Sequence, residues 1–221
     1  MSVRSVAEDF VRSACRLGPV PQVTGIRLHL ADDVLALWQR TEEEFGADQP
    51  PPFWAFAWPG GQGLARYVLD HPGLVGGRRV LDLGSGSGLV AIAAAKAGAA
   101  AVSASEVDPL AVAAIGLNAR ANGVPAPEVV GDVLDADGTG ADVVLAGDVW
   151  YSRPLAERVL GFLDRVTARG GSVLAGDIGR AFMPRDRFRV VDARDVPVMA
   201  DLEDSSVKRT MVWEPIIEAP R

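Results

Sequence analysis

The stretch from Val80 to Leu89, VLDLGSGSGL, limits the folds open to this chain more than any other. It begins as a short apolar run of the kind that forms a buried parallel strand, then turns acidic at Asp82 and glycine-rich at Gly84, Gly86 and Gly88. The residues that follow, Leu89 to Lys96, are good helix formers. Strand, glycine turn and helix in that order make a nucleotide-binding βα unit. Glycine lacks a Cβ, so the turn can be tight and the backbone can approach a ligand. The helix start adds unpaired N–H groups that suit a negative or polar ligand group. A turn that merely lets strand and helix pack closely would carry the same glycines.

The alternation continues downstream. Ala101 to Glu106 reads as a second strand ending in an acid about twenty residues past the loop, where a ribose-binding carboxylate belongs in such folds. Asp108, with Pro109 at the first helical position, reads as the cap of a helix to Ala121 that stops at Asn122-Gly123. Glu128 to Val133 is a short third strand. Asp132 there can accept from an adenine amino group with Val133 against the ring, or simply cap its own turn. Ala141 to Asp148 is a buried fourth strand, and Asp148, Trp150 and Tyr151 fall at its carboxyl edge, where open α/β sheets bind ligands. A helix from Pro154 to Thr167 and a strand from Ser172 to Asp177 follow, then candidate strands near Phe188–Val191 and Val207–Trp213. The pattern predicts an α/β fold: a doubly wound, mostly parallel seven-stranded sheet with an antiparallel last strand. No internal repeat or clear linker is evident.

Upstream, helical spacing runs from Val3 to Arg16 and meets a break at Gly18-Pro19-Val20-Pro21; Ile26 to Leu30 alternates as a short strand, and Asp32 can cap a helix to Phe45. Residues 1–50 are expected to form an N-terminal extension on or over the core, either as a substrate-facing lid or as packing at a sheet edge. Residues 51–221 are expected to form the main domain. Within it, Phe53 to Trp58 holds four aromatic rings in six residues, followed by Pro59-Gly60-Gly61. Such a cluster serves a core equally well, but the glycines would let backbone come near a ligand, and an aromatic face favours a sulfonium or ammonium cation.

At 221 residues and a net charge of −7, the chain is poorly matched to a nucleic-acid backbone as its main partner. Cys15 is its one cysteine, so neither an internal disulfide nor a cysteine metal cluster is expected, and His29 and His71 read as surface or cap residues. The first residues lack the apolar core of a signal peptide, and no run reaches membrane-spanning length. A cytoplasmic protein without membrane contact is the expectation.

Three pieces carry a family resemblance: PPFWAFAWPGGQGLARYVLDHP (Pro51 to Pro72), VLDLGSGSGLVAIAAAKAGA with its D-x-G-x-G-x-G spacing, and GDVWY (Gly147 to Tyr151). Together they resemble the class I, seven-β-strand protein lysine methyltransferases, in particular the family acting on electron transfer flavoprotein β subunit and its bacterial relatives. GDVWY resembles that family's D-x-[FW]-Y motif beside the acceptor amine; Glu106 stands where Asp is common, and Ser152 where an acid is common. The resemblance implies S-adenosyl-L-methionine as cofactor, S-adenosyl-L-homocysteine as product, no metal, and a protein substrate, electron transfer flavoprotein β subunit. It implies that Asp82, Gly84, Gly86 and Gly88 hold the methionine end, Glu106 the ribose, and Asp132 with Val133 the adenine. Trp58, Gly60 and Gly61 would close over the cofactor. Asp148 would orient the amine or take its proton, with Trp150 and Tyr151 shaping an aromatic channel. A small-molecule N-methyltransferase and a non-catalytic cofactor-binding partner protein remain alternatives on the same fold. A dinucleotide-dependent dehydrogenase is disfavoured, because Leu89 stands where its last glycine would be.

Overall fold

A computed structural model describes residues 3–136, 140–198 and 206–216. In chain order its elements are α1 (Val3–Ala14), β1 (Arg16–Val20), β2 (Val23–Leu30), α2 (Val34–Phe45), α3 (Pro59–Asp70), β3 (Arg79–Leu83), α4 (Leu89–Lys96), β4 (Ala101–Ser105), α5 (Pro109–Ala121), β5 (Glu128–Val129), β6 (Val143–Gly147), α6 (Arg153–Ala168), β7 (Ser172–Asp177), β8 (Phe188–Pro197) and β9 (Val207–Pro215). Seven strands form one sheet in the order β5-β4-β3-β6-β7-β9-β8. The pairs from β5 through β7 are parallel, and β9 runs antiparallel to both β7 and β8. The chain enters at β3, builds outward to β5, then returns to β3's other side with β6. That reversal opens a crevice at the carboxyl ends of β3 and β6.

Alternate residues of each central strand feed opposite cores, as the pleat requires. Val80, Val143 and Leu145 pack with α3 and α4 through Leu64, Val68 and Ile92. Leu81, Val144 and Ala146 pack with α6 through Phe162, Leu163 and Val166. Helix α4 is apolar on nearly every side and is buried accordingly. Asp108 caps α5 as expected, accepting from Leu110 N at 2.8 Å, with Pro109 next to it.

The N-terminal region departs most from expectation. Helix α1 stops at Ala14, two residues before its expected end at Arg16, and Arg16 to Val20, which takes in most of the expected break at Gly18 to Pro21, pairs antiparallel with β2. Pro19 is tolerated there because this two-stranded ribbon leaves it an edge position. The cap of α2 is Asp33, which accepts from Ala36 N at 2.8 Å, while Asp32 pairs with Arg16. His29 is buried, not superficial: its backbone N–H and its Nδ1 both lie 2.8 Å from Asn118 Oδ1. Asn122 likewise binds Arg27, and Glu8 pairs with Arg120. The segment before Pro50 therefore packs on α5. The third strand is shorter than its sequence suggests, because Gly131 turns the backbone to a φ of 64° just beyond it. No helix among the described residues is long and apolar enough to cross a membrane.

Candidate active site

A cavity of about 560 Å3 opens along the carboxyl edge of β3, β4 and β6, within the range of roughly 300–1,000 Å3 usual for small-ligand sites. One end is built largely from backbone. Gly84 and Gly86 line it with φ of 66° and 54°, a left-handed conformation that side chains resist. Glu106 faces them from the end of β4. Its Oε2 accepts from Gly86 N at 2.8 Å, and its Oε1 accepts from Val107 N and Asp108 N at 2.7 and 3.0 Å. Farther along, Asp132 accepts from Leu134 N at 3.0 Å and pairs with Arg158 at 3.0 Å. Those contacts, the Leu134 N–H first, hold the Asp132 carboxyl below the usual range. Asp132 thus caps its turn and also lines the cavity.

The other end is built from side chains. Asp148 follows β6 with a φ of 56°, a conformation that costs a non-glycine residue and persists where the surrounding structure over-determines it. Its Oδ1 accepts from Arg180 Nη1 at 2.6 Å and its Oδ2 from Gly61 N at 2.6 Å. Burial pushes the Asp148 carboxyl up to about 6, against the opposing pull of Arg180. Tyr151 and Phe53 are half-exposed at the mouth, their ring centroids 6.0 Å apart. Trp58 meets Phe53 edge-on at 5.8 Å and donates its Nε1 to the Phe53 carbonyl at 2.8 Å. These three rings line one wall of the cavity.

Several expected residues lie off the cavity. Asp82 is buried beneath the glycine loop, accepting from Ser85 Oγ at 2.6 Å and Ala91 N at 2.9 Å. Burial pushes its carboxyl up to about 6. Gly88 starts α4 and gives room to Ile115 of α5. Gly60 and Gly61 pack the start of α3 onto β6 and β7: a Cβ on Gly60 would lie 2.6 Å from Asp148 Oδ2 and would also run into the Gly176 carbonyl. They thus position Asp148. Val133 is buried, and Leu134 lines the cavity instead. Trp150 is a correction: it is fully buried on the α6 side of the sheet, 5.9 Å from Phe188, so Phe53 and Trp58 supply the rings it was expected to provide.

Arg180 was not singled out in the sequence, yet it lines the cavity and pairs with both Asp148 and Asp177. The sequence did hold a signal. Val144 to Asp148 reads VLAGD, and so does Val173 to Asp177.

Comparison with known proteins agrees with this architecture. Residues 67–171 match the ribosomal protein L11 methyltransferase (PrmA) family. The electron transfer flavoprotein β subunit lysine methyltransferase of Mus musculus is 44% identical over 169 residues, covering 74% of this chain and 66% of that protein. Its Caenorhabditis elegans homolog is 31% identical over 171 residues, covering 70% of this chain and 69% of that protein. The chain belongs to the electron transfer flavoprotein β subunit lysine methyltransferase family. It spans about half to two thirds of the length of its curated vertebrate relatives. Among solved structures, a putative RNA methyltransferase from Pyrococcus horikoshii superposes with a TM-score of 0.54 at 18% identity, covering 77% of this chain and 91% of that one. The shared feature is the fold, that of the class I methyltransferases. The matched PrmA region runs from within α3 to the residue before β7, so it holds the glycine loop, Glu106 and Asp148 but ends before Arg180.

Proposed function

We propose that this chain is an S-adenosylmethionine-dependent N-methyltransferase acting on protein lysine, with electron transfer flavoprotein β subunit as acceptor. The observation that carries this reading is a single cavity joining a backbone-built end to an acid-and-aromatic end. The residues fit such a cofactor. Gly84 and Gly86 leave space for its methionine end, Glu106 would hold the ribose hydroxyls, and Asp132 with Leu134 would flank the adenine. Four carboxyl side chains line the cavity, those of Glu106, Asp108, Asp132 and Asp148, against the two guanidinium groups of Arg158 and Arg180. That excess of acid suits a cationic ligand. Bound there, the cofactor supplies a methyl group already activated by positive charge on sulfur.

The chain's own task is then to present a neutral amine in line. A free lysine has a pKa of about 10.4 and arrives protonated. Above a pH of about 6, Asp148 is a carboxylate that can orient the amine and draw off its proton. Phe53, Trp58 and Tyr151 form a wall against which the lysine stem can lie and a methylated ammonium can rest.

The test is peptide mass spectrometry of electron transfer flavoprotein β subunit after incubation with the chain and cofactor. Methylated lysine is expected with wild type and not with Asp148→Asn. Transfer of labelled methyl only to a small molecule from extract would instead place the chain among small-molecule N-methyltransferases.

A further inference from the structure

Strands β6 and β7 carry the same residues at their ends and pair in register, with Leu145 opposite Leu174, Ala146 opposite Ala175 and Gly147 opposite Gly176. Each strand therefore delivers an aspartate to the same edge, Asp148 and Asp177, and both carboxyls are buried. Two buried acids side by side resist being ionised together. Between them lies Arg180, its Nη1 2.6 Å from Asp148 Oδ1 and 3.2 Å from Asp177 Oδ2. The other oxygen of Asp177 accepts from Gly179 N and Arg180 N, both at 2.6 Å. Asp177 thus folds the loop that carries Arg180, and the guanidinium returns across it to Asp148.

We propose that Arg180 is a positioning residue, anchored by Asp177, that keeps the carboxylate of Asp148 ionised and fixed at the acceptor end of the cavity. The inference rests on the reading of Asp148 as the group that receives the amine. Of the other groups around Asp148, the Gly61 N–H alone favours its ionised form, and it carries no full charge. That N–H comes from α3, at the positive end of a helix. Leu89 and Val90 of α4, which pack beside Gly61, are apolar. Asp177 opposes ionisation, and burial opposes it most. Arg180 is the cation set against both, and it reaches the carboxylate through a charge-assisted hydrogen bond, which also holds direction. Arg180 itself is held charged: burial pulls it down, and Asp148 and Asp177 more than offset that.

The experiment is carboxyl carbon NMR of the full chain labelled at aspartate, without cofactor, with the Asp148 resonance assigned by its loss in Asp148→Asn. In wild type it is expected to titrate at about 6. In Arg180→Gln its midpoint rises by at least about one pH unit, the lower end of what an adjacent opposite charge confers. Arg180→Lys lies between the two. The acid limb of kcat/KM moves with the midpoint, and the KM for the acceptor rises more than that for the cofactor. An Asp148 resonance that titrates alike in wild type and in folded Arg180→Gln would overturn the inference. Shifted titration in a chain that methylates nothing would uphold it and count against the proposed function instead.

Discussion

The two ends of the cavity are made of different materials. The glycine-loop end is backbone and short-range contact: Gly84 and Gly86 set the shape, and Glu106 is held by the N–H groups of Gly86, Val107 and Asp108. The Asp148 end is assembled from three places in the chain, the Gly61 N–H and the Arg180 guanidinium lying 87 and 32 residues from Asp148. The first end takes its shape from a turn whose positive φ values suit glycine. The second depends on a buried ion pair, a helix start and a left-handed aspartate being satisfied together. On the proposed function, binding of a cofactor would draw mainly on the first end, and selection of an acceptor on the second.

The sharpest way to break this division is Asp148→Asn. It should lower methyl transfer by about 100- to 10,000-fold, the usual loss on removing an acid–base group, and leave cofactor affinity nearly unchanged by calorimetry. An equal loss in both would mean the ends do not act separately. Glu106→Ala should do the reverse. Loss of a charged hydrogen-bonding group costs roughly 1.5–3 kcal/mol, so cofactor Kd should rise about 10- to 150-fold, with turnover at saturating cofactor affected less.

Gly60→Ala touches the seam between α3 and the strand ends. Its Cβ would press on Asp148 Oδ2 and the Gly176 carbonyl, so urea unfolding should show a loss of roughly 1–3 kcal/mol. Transfer should fall more than cofactor binding. Asp82 sharpens the other end through pH. Its carboxyl stands at 3.8 when unperturbed and at about 6 here, so the folded chain binds the extra proton. Stability contributed by that proton is full below 3.8 and is lost as pH rises through about 6. The urea midpoint should therefore drop across that window, and Asp82→Asn should remove part of the slope; Asp148 is shifted the same way and accounts for another part. The smallest effect is expected at Arg158, an exposed partner of Asp132 and Asp135. Surface ion pairs contribute little, so Arg158→Ala should leave the unfolding midpoint within measurement error.

The same contrast explains what could be read from the sequence. The alternation of strand and helix, the count of seven strands and the antiparallel end follow from local patterns. So does the glycine loop, because a left-handed turn at Gly84 and Gly86 needs glycine and its spacing is written in consecutive residues. The Asp148 end was legible only as a candidate. Tyr151 and Trp150 are neighbours in sequence, yet the chain turns one ring to the cavity mouth and the other into the α6 core, a difference no spacing discloses. Gly60 and Gly61 invited assignment to the cofactor, but their lack of side chains serves contact with Gly176 and Asp148. Arg180 was hidden for a different reason. Its importance appears only when the repeated VLAGD segments are seen to lie side by side, bringing two acids together that need a cation.

A crystal structure of the chain with S-adenosylhomocysteine would test the shared cavity most directly. Density should run from Gly84 and Gly86 past Glu106, with the sulfur facing the space between Asp148 and Tyr151. A ligand bound away from the glycine loop, or one whose sulfur is walled off from Asp148, would contradict the joining of the two ends in one site.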